Sequence, residues 1–494
     1  MLLVFLVGAA ALGIEIAVVR LLAPYFGASE VVWANTIGVV LVALSVGYWV
    51  GGRVGDSRPR MEDLCAVVML GAALTALLPF AARPLLEAGI HALDSISAGA
   101  FVGSLLATLV LVAIPVLVLG TVAPWALRIG IETIDKRQAG ALAGRLYAVS
   151  TAGSLVGTLL AALVLVPGVG TRRTFLVFAF ALALVALAGM RRRTWFALVP
   201  VAVAALFLLP AGSIKASSGD ERVLFETETA QQYVRVVERP DRSRLLELNE
   251  GQAVHSLYRP GTVLTNNYWD SALVLPLATL GRPPQRIAIL GNAAGTMARA
   301  YAHFFPATYV DGVDLDPDLT KVGRRYFGLN GRRFTSVAAD ARPFLRRSNR
   351  RYDVIVVDAY RQPYIPFYLT TREFFELASE RLTADGSVIV NVGHPIGSDR
   401  LEKVLAATIG TAFKHVARDP TEQSNTMLVG SDAPISAARL AGAATRINPQ
   451  LAALAIREAA LRGPAIPGGE VYTDDRAPVE WLVDRSIVSY AAGR

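Results

Sequence analysis

The 494-residue chain changes character once, near residue 212, and that break constrains its fold more than any single motif. Before it lie seven apolar stretches, near 2–20, 31–50, 64–82, 100–119, 141–166, 174–190 and 194–211. Each is long enough, or nearly so, to cross ~30 Å of hydrocarbon as a helix. After it come short alternating runs and then strand-like and helix-like segments in turn. The 53% hydrophobic content and mean hydropathy of +0.44 are too apolar for an ordinary soluble enzyme, and the excess sits in the first part. The formal net charge of +8 divides into +5 up to residue 212 and +3 beyond it. The first value reads as a membrane-topology signal. The second part shows no basic patch interleaved with aromatics, so nucleic acid is not an expected partner. A single cysteine, Cys65, excludes an intrachain disulfide and a cysteine metal site. The five histidines (91, 255, 303, 394 and 415) show no ligand spacing, so no metal is expected.

Within the first part, Gly153-Ser-Leu-Val-Gly157 is a Gly-x-x-x-Gly pair that allows two helices to approach closely. The first stretch lacks a basic start and reads as a span rather than a cleaved leader. Glu15 lies inside it, where a carboxylate costs several kcal/mol unless it is paired or faces a polar cavity. Arg20, or a group on another span, is its expected partner, and a substrate path is the alternative. Gly51-Gly-Arg-Val-Gly-Asp-Ser-Arg58 reads as a loop and resembles the loop motif of major-facilitator transporters, but the chain lacks the spans of such carriers. Loops 51–63, 126–140 and 191–193 each hold three Lys or Arg, which places them and the N-terminus in the cytoplasm. Seven full crossings would put the second part outside. Thr194–Gly212, interrupted by Pro200 and Pro210, is the stretch expected not to cross.

In the second part, Lys215–Asp220 reads as a polar linker, and 232–238 and 245–249 read as antiparallel strands of a small β-domain. Apolar runs at 286–290, 308–314, 333–338, 353–358, 386–392 and 425–430, with helical periodicity between most of them, imply a parallel, doubly wound sheet. The expected architecture is therefore an α-helical polytopic membrane bundle (1–212) fused to a small antiparallel β-domain (213–280). An α/β Rossmann-like domain of methyltransferase type (281–494) completes the chain.

Ligands of such sheets sit at the carboxyl ends of the strands. There the loop Gly291-Asn-Ala-Ala-Gly295 offers close backbone approach, because Gly291 and Gly295 carry no Cβ. Asp314 and Asp316 follow the second strand, where a carboxylate can accept from ribose hydroxyls. Asp340 follows the third, placed to meet an adenine edge, and Asp358 ends the fourth. For Asp316 and Asp340 the alternative is that they cap the next helices. Desolvation at a strand end raises the pKa of Asp358 toward that of a general base for an incoming amine.

With these residues in place, the second part resembles the spermidine synthase (polyamine aminopropyltransferase) family in its membrane-fused form. The family's Tyr-Gln pair falls on Gln231-Gln232, its Tyr-His-Glu motif on Tyr268-Trp269-Asp270, its glycine-aspartate loop on Gly291–Thr296, its ribose acid on Asp314 and its catalytic Asp on Asp358. The resemblance implies transfer of the aminopropyl group of decarboxylated S-adenosylmethionine to a polyamine, putrescine giving spermidine, with release of methylthioadenosine and without metal. It assigns Asp358, Tyr268 and Asp270 to catalysis and acceptor binding. Gln232, Gly291, Gly295, Asp314, Asp316 and Asp340 go to the nucleotide. Gln231 and Tyr360 are further candidates for an amine site. The tail Thr473–Glu480 also looks like that of fused members.

Three positions depart from the family pattern: the loop acid is Ala294, the second catalytic-motif acid is Arg361 and the His is Trp269. Loss of two anions and gain of a cation fit a dication less well and a carboxylate better. Two alternatives therefore stand. One is a transferase using intact S-adenosylmethionine on a membrane-associated acceptor. The other is a nucleotide-sensing or transport-associated membrane protein without catalysis. The expected partners are a small amine or membrane-borne acceptor and the lipid bilayer. The expected location is the cell membrane, with the catalytic domain in the cytoplasm, and self-association is left open.

Overall fold

The computed structural model describes residues 1–27, 30–94, 100–133, 136–190, 194–209, 219–249, 253–360 and 364–491. Arg361, loop 191–193, Pro210, Gly212 and linker residues 215–218 lie outside the described residues. The chain divides into two units, Met1–Ala216 and Ser217–Arg494.

Among the described residues the first unit is built of helices. Six helices among the described residues are long and apolar enough to cross a membrane: Leu2–Phe26, Val32–Ser57, Met61–Leu86, Gly103–Ile131, Ala139–Val169 and Thr171–Ala188. The seventh apolar stretch is shorter than read from the sequence. Its helix, Trp195–Leu206, falls well below the ~20 residues a crossing needs.

Small residues set the packing of this unit. A Cβ on Gly153 would run into the Phe5 carbonyl, and one on Gly157 into that of Ala9. The Gly-x-x-x-Gly pair therefore lets the helices Leu2–Phe26 and Ala139–Leu160 touch backbone to backbone. The segment 51–57, expected as a loop, is instead the last two turns of the helix Glu30–Ser57. Gly51 there abuts the backbone of Thr121, and Asp56 pairs with Arg128 at 2.9 Å. Helix packing thus accounts for Gly51 and for Gly55, which abuts Trp125, whereas a Cβ on Gly52 would meet nothing. Glu15 is half-buried.

The second unit contains two sheets. A four-stranded antiparallel meander comprises β1 (Arg222–Glu228), β2 (Tyr233–Glu238), β3 (Arg244–Leu248) and β4 (Val254–Tyr258). The larger sheet comprises β5 (Arg286–Leu290), β6 (Tyr309–Asp314), β7 (Phe334–Ala338), β8 (Tyr352–Val357), β9 (Leu382–Gly393), β10 (His415–Glu422), β11 (Asn425–Ser431) and β12 (Gly463–Pro464). Its order is β12-β10-β11-β9-β8-β5-β6-β7. Strands β5 to β9 are mutually parallel, as the alternating pattern predicts. The run at 425–430 instead belongs to β11, which is antiparallel to both β9 and β10. The sheet is therefore mixed. Only Gln423 and Ser424 separate β10 from β11, too short for the crossover a parallel pair requires.

The continuous apolar strands have a reason: both faces are covered. Ile287, Ile289, Val354 and Val356 join one core cluster, with Met297, Ala298 and Tyr301 of the helix Thr296–Phe304. Ala288, Leu290, Ile355 and Val357 join another, with Phe374, Phe375 and Leu405. One face of the meander (Val234, Val236, Leu246 and Leu248) packs on Ala293, Ala294, Leu319, Val322 and Phe327, so the small sheet backs the loop 291–295.

The tail motif also acquires a role. Asp474 accepts from both terminal nitrogens of Arg342, at 2.7 and 2.6 Å, and from Thr371 Oγ1 at 2.8 Å. It clamps two helices that follow strands of the main sheet.

Gly157→Leu should destabilise the first unit by roughly 1–3 kcal/mol, because a backbone carbonyl cannot yield as a side chain would. Thermal melting of detergent-solubilised protein checks this; an unchanged melt would show that the seam is not close-packed.

Candidate functional site

The carboxyl ends of β5, β6 and β8 meet around Gly291. Its φ is +90°, and a Cβ there would strike the Asp358 carbonyl, so only glycine admits this approach of two strand ends. The Asp358 N–H donates to Leu290 O at 2.8 Å, and Gly291 and Asn292 donate to Val313 O at 2.9 and 3.0 Å. Gly295 (φ +86°) starts the helix Thr296–Phe304. Between them Ala293 holds φ +46°, a strained conformation for a residue with a Cβ. Its N–H is held by Asp314 Oδ2 at 2.8 Å.

Asp314 also accepts from the Asp316 N–H at 3.0 Å, through its other oxygen. Each oxygen keeps a lone pair for a further donor, which is what a diol of a ribose requires. Burial pushes the Asp314 carboxyl up to about 6, and the backbone donors hold it back. Asn292 is 5% exposed, and neither its Nδ2 nor its Oδ1 has a partner. Such an orphaned amide in a glycine-bounded loop suits a ligand that brings its own polar groups.

Asp358 receives three side-chain donors. Asn391 Nδ2 lies 2.8 Å from Oδ1, Trp269 Nε1 lies 3.2 Å from Oδ2, and Tyr268 Oη lies 3.3 and 3.2 Å from the two oxygens. Burial disfavours the anion and the three donors favour it; the balance leaves Asp358 raised to about 7. Tyr268 and Trp269 come from the helix Tyr268–Val274, whose N-cap is Asn267. Burial, followed by the charge of Asp358, keeps the Tyr268 hydroxyl far above its ordinary range, so it remains a donor. Tyr360 Oη accepts from the Gly393 N–H at 2.7 Å and donates to Asn391 O at 2.9 Å, fixing the strand that carries Asn391.

The remaining residues read from the sequence take other places. Asp270 is 4% exposed and faces the preceding turn, accepting from Thr265 N and Oγ1 and from Asn266 N at 2.7–2.9 Å. It is thereby a positioning residue for the helix of Tyr268 rather than the catalytic or acceptor-binding group expected from the sequence. Asp316, expected on the ribose, is 1% exposed. It caps the helix Pro317–Tyr326 through the Asp318 N–H and accepts from Thr229 Oγ1 (2.7 Å) and Gln232 Nε2 (3.3 Å). Its oxygens are spent on tying the meander to the main sheet, and the Gln232 amide nitrogen is spent with them. Gln231 is exposed. Asp340 likewise caps the helix Ala341–Arg347 and accepts from Tyr368 Oη at 2.7 Å. Ala294, where the resembled family has an acid, is fully buried in the apolar cluster behind the loop, with its N–H on Ser256 Oγ at 3.0 Å.

Three polar residues were not singled out in the sequence. Asn391 is one; Asn425 Nδ2, which donates to Asn391 Oδ1 at 2.9 Å and so orients its amide, is another. The third is Glu422, whose Oε1 accepts from the Tyr268 N–H at 2.7 Å and whose carboxyl is raised by burial. A signal for the first was present: Asn391 is a lone amide in the apolar run Val388–Val392. Glu422 gave none, since it lies in β10, which the sequence reading did not contain.

Removing one donor to the anion should push Asp358 up further. In Asn391→Leu its carboxyl should titrate above the value near 7 expected of the parent. Infrared titration of the carboxyl stretch, referenced to Asp358→Asn, checks this; a midpoint that does not move, or moves down, contradicts the donor assignment.

Comparison with known proteins finds similarity over part of the second unit. The model of the spermine/spermidine synthase domain matches residues 273–427, a range that includes Gly291–Gly295, Asp314, Asp358, Asn391 and Glu422 but not Tyr268 or Gln232. A probable polyamine aminopropyl transferase of Bifidobacterium longum is 31% identical over 195 residues, covering 39% of this chain and 43% of the relative. A polyamine aminopropyltransferase of Vibrio vulnificus is 28% identical over 181 residues, covering 35% of this chain and 60% of the relative. The chain thus spans about half the length of these curated relatives. The crystal structure of a probable spermidine synthase from Corynebacterium glutamicum aligns with a TM-score of 0.40 and 21% identity, over 51% of this chain and 99% of that one. Residues 273–427 are thus similar to the spermine/spermidine synthase domain, and the relatives matched carry polyamine aminopropyltransferase names.

Proposed function

We propose that this protein is a membrane-bound transferase that moves the aminopropyl group of decarboxylated S-adenosylmethionine to a polyamine, putrescine giving spermidine. The observation that carries the reading is Asp358, poised near pH 7 at a strand end between three fixed donors. A base whose pKa lies near the operating pH is suited to take a proton from an attacking amine. In this account the amine nitrogen bonds to the methylene carbon on the sulfonium and its proton passes to Asp358. The carbon–sulfur pair stays on sulfur as the neutral thioether of methylthioadenosine. Asp314 and the loop 291–295 hold the nucleoside, and Tyr268 stays protonated as a hydrogen-bond donor beside the base. Positioning and local charge supply most of such catalysis.

Glu422 supports an amine acceptor. Although Ala294 removes one family acid, a carboxylate stands at the start of the helix that delivers Tyr268. A second reading, transfer from intact S-adenosylmethionine to a membrane-associated acceptor, draws on the unpartnered Asn292 amide, which suits a carboxylate.

The location proposed is the membrane, with the synthase domain in the cytoplasm. Six crossings return the chain to the side of its N-terminus, and the basic loops 51–63 and 126–140 fall on that side.

Four outcomes follow. Asp358→Asn should keep nucleotide affinity within a few-fold and lower methylthioadenosine release from decarboxylated S-adenosylmethionine and putrescine by roughly 10² or more. Asp314→Ala should mainly weaken nucleotide binding, because its contacts persist through the reaction. Calorimetry beside turnover separates the two, and unchanged turnover in Asp358→Asn would remove the base. Glu422→Gln should raise the KM of a diamine several-fold at near-constant nucleotide affinity; an effect on the nucleotide alone would take Glu422 out of the acceptor site. Finally, with Cys65 replaced by Ala, an Asn349→Cys thiol should react with an impermeant maleimide in right-side-out vesicles only after permeabilisation. Labelling of sealed vesicles would place the domain outside.

A further inference from the structure

A second cavity, of about 540 Å³, opens on the second unit between the turn that follows β4, the end of the helix Thr296–Phe304 and the segment before β7. Its volume falls in the range of roughly 300–1,000 Å³ typical of small-molecule pockets. None of the residues that form Asp358's surroundings lines it.

Its chemistry is one-sided. Arg299, Arg259 and His303 line it, beside Tyr258, Thr262 and Asn330, and no carboxylate does so among the described residues. Arg259 and His303 reach solvent, whereas Arg299 is 8% exposed. The Arg299 guanidinium forms no ion pair among the described residues. It makes two long bonds to backbone carbonyls, 3.4 Å to Phe327 O and 3.3 Å to Val263 O, and its Nε has no partner. The acid that acts on it from a distance, Asp270, already has its oxygens on Thr265 and Asn266. The Tyr258 ring, 4.9 Å from the guanidinium carbon, fixes its plane.

A buried, always-charged group that no carboxylate touches is costly, and its unfilled N–H donors are best satisfied by an oxyanion, whose geometry matches the guanidinium fork. We propose that this cavity binds a small anionic metabolite through a phosphate or carboxylate group held by Arg299, with Arg259 and His303 at the rim. The cavity is larger than a bare oxyanion needs, so the natural ligand carries an organic body that rests on Tyr258. This site stands apart from the nucleotide site and does not depend on what reaction the domain performs.

The test is calorimetric titration of the full-length protein, in buffer free of phosphate and carboxylate, with inorganic phosphate, pyrophosphate and citrate in turn. At least one should saturate; preference for the first two identifies a phosphate ligand and preference for the third a carboxylate. Arg299→Met should weaken that binding about tenfold or more, the equivalent of one charge-assisted hydrogen bond. The double variant Arg259→Ala/His303→Ala, changed only at the rim, should weaken it several-fold with an unchanged melting curve, and this arm decides if Arg299→Met folds poorly. Asp314→Ala, in the other site, should leave the affinity alone. No saturable binding of any of the three anions would overturn the proposal. So would equal affinities in the parent and the rim variant, or a loss of anion binding in Asp314→Ala matching that at the cavity.

Discussion

The second unit is organised around one electrostatic balance: a carboxylate held at the end of a buried strand against the cost of removing it from water. That balance requires donors, and the donors come from sequence-distant places. Tyr268 and Trp269 arrive from a helix ahead of the main sheet, Asn391 from the neighbouring strand β9, and Asn425 from β11 behind it. The mixed sheet matters for this reason. An antiparallel β11 beside β9 brings Asn425 against Asn391, and β10 brings Glu422 to the N–H of Tyr268. Gly291 closes the arrangement, because any Cβ there would push the loop 291–295 off the strand that carries Asp358.

The carboxylates in and around the candidate site divide into two kinds. Asp314 and Asp358 hold pKa values raised by burial and face the space at the carboxyl edge of the sheet. Asp316, Asp340 and Asp270 have committed their oxygens to helix starts, turns and neighbouring side chains. The second kind gives the first its geometry: Asp316 joins the meander to β6, and Asp270 fixes the turn from which Tyr268 is delivered. A single motif pattern therefore encodes chemistry and scaffold together.

Much of this was legible in the chain. Alternating and continuous apolar runs located eight of the twelve strands, all but β1, β4, β10 and β12, and their spacing located the parallel core, because period and length are local properties. The glycine-bounded loop 291–295 and the strand-end place of Asp358 followed from what a strand end offers. The antiparallel return of β10 and β11 was not legible: β10 carries Arg418, Asp419 and Glu422, which mask its apolar pattern. Nor does sequence distinguish a capping Asp from a ligand-facing one, since both follow a strand, and only the partners of Asp316 and Asp340 separate them. In the first unit six of seven apolar stretches became span-length helices. The last became a 12-residue helix, a length that hydropathy alone does not set.

The central claim is that the poised Asp358 serves alkyl transfer from a sulfonium nucleoside to an amine. The most direct measurement is mass spectrometry of products formed by purified full-length protein offered decarboxylated or intact S-adenosylmethionine, each with putrescine, spermidine or lipid extract. Aminopropylated amine with equimolar methylthioadenosine, from the decarboxylated nucleotide only, is the predicted result. A methylated or aminocarboxypropylated lipid from the intact nucleotide, or no product despite nucleotide binding, would contradict it.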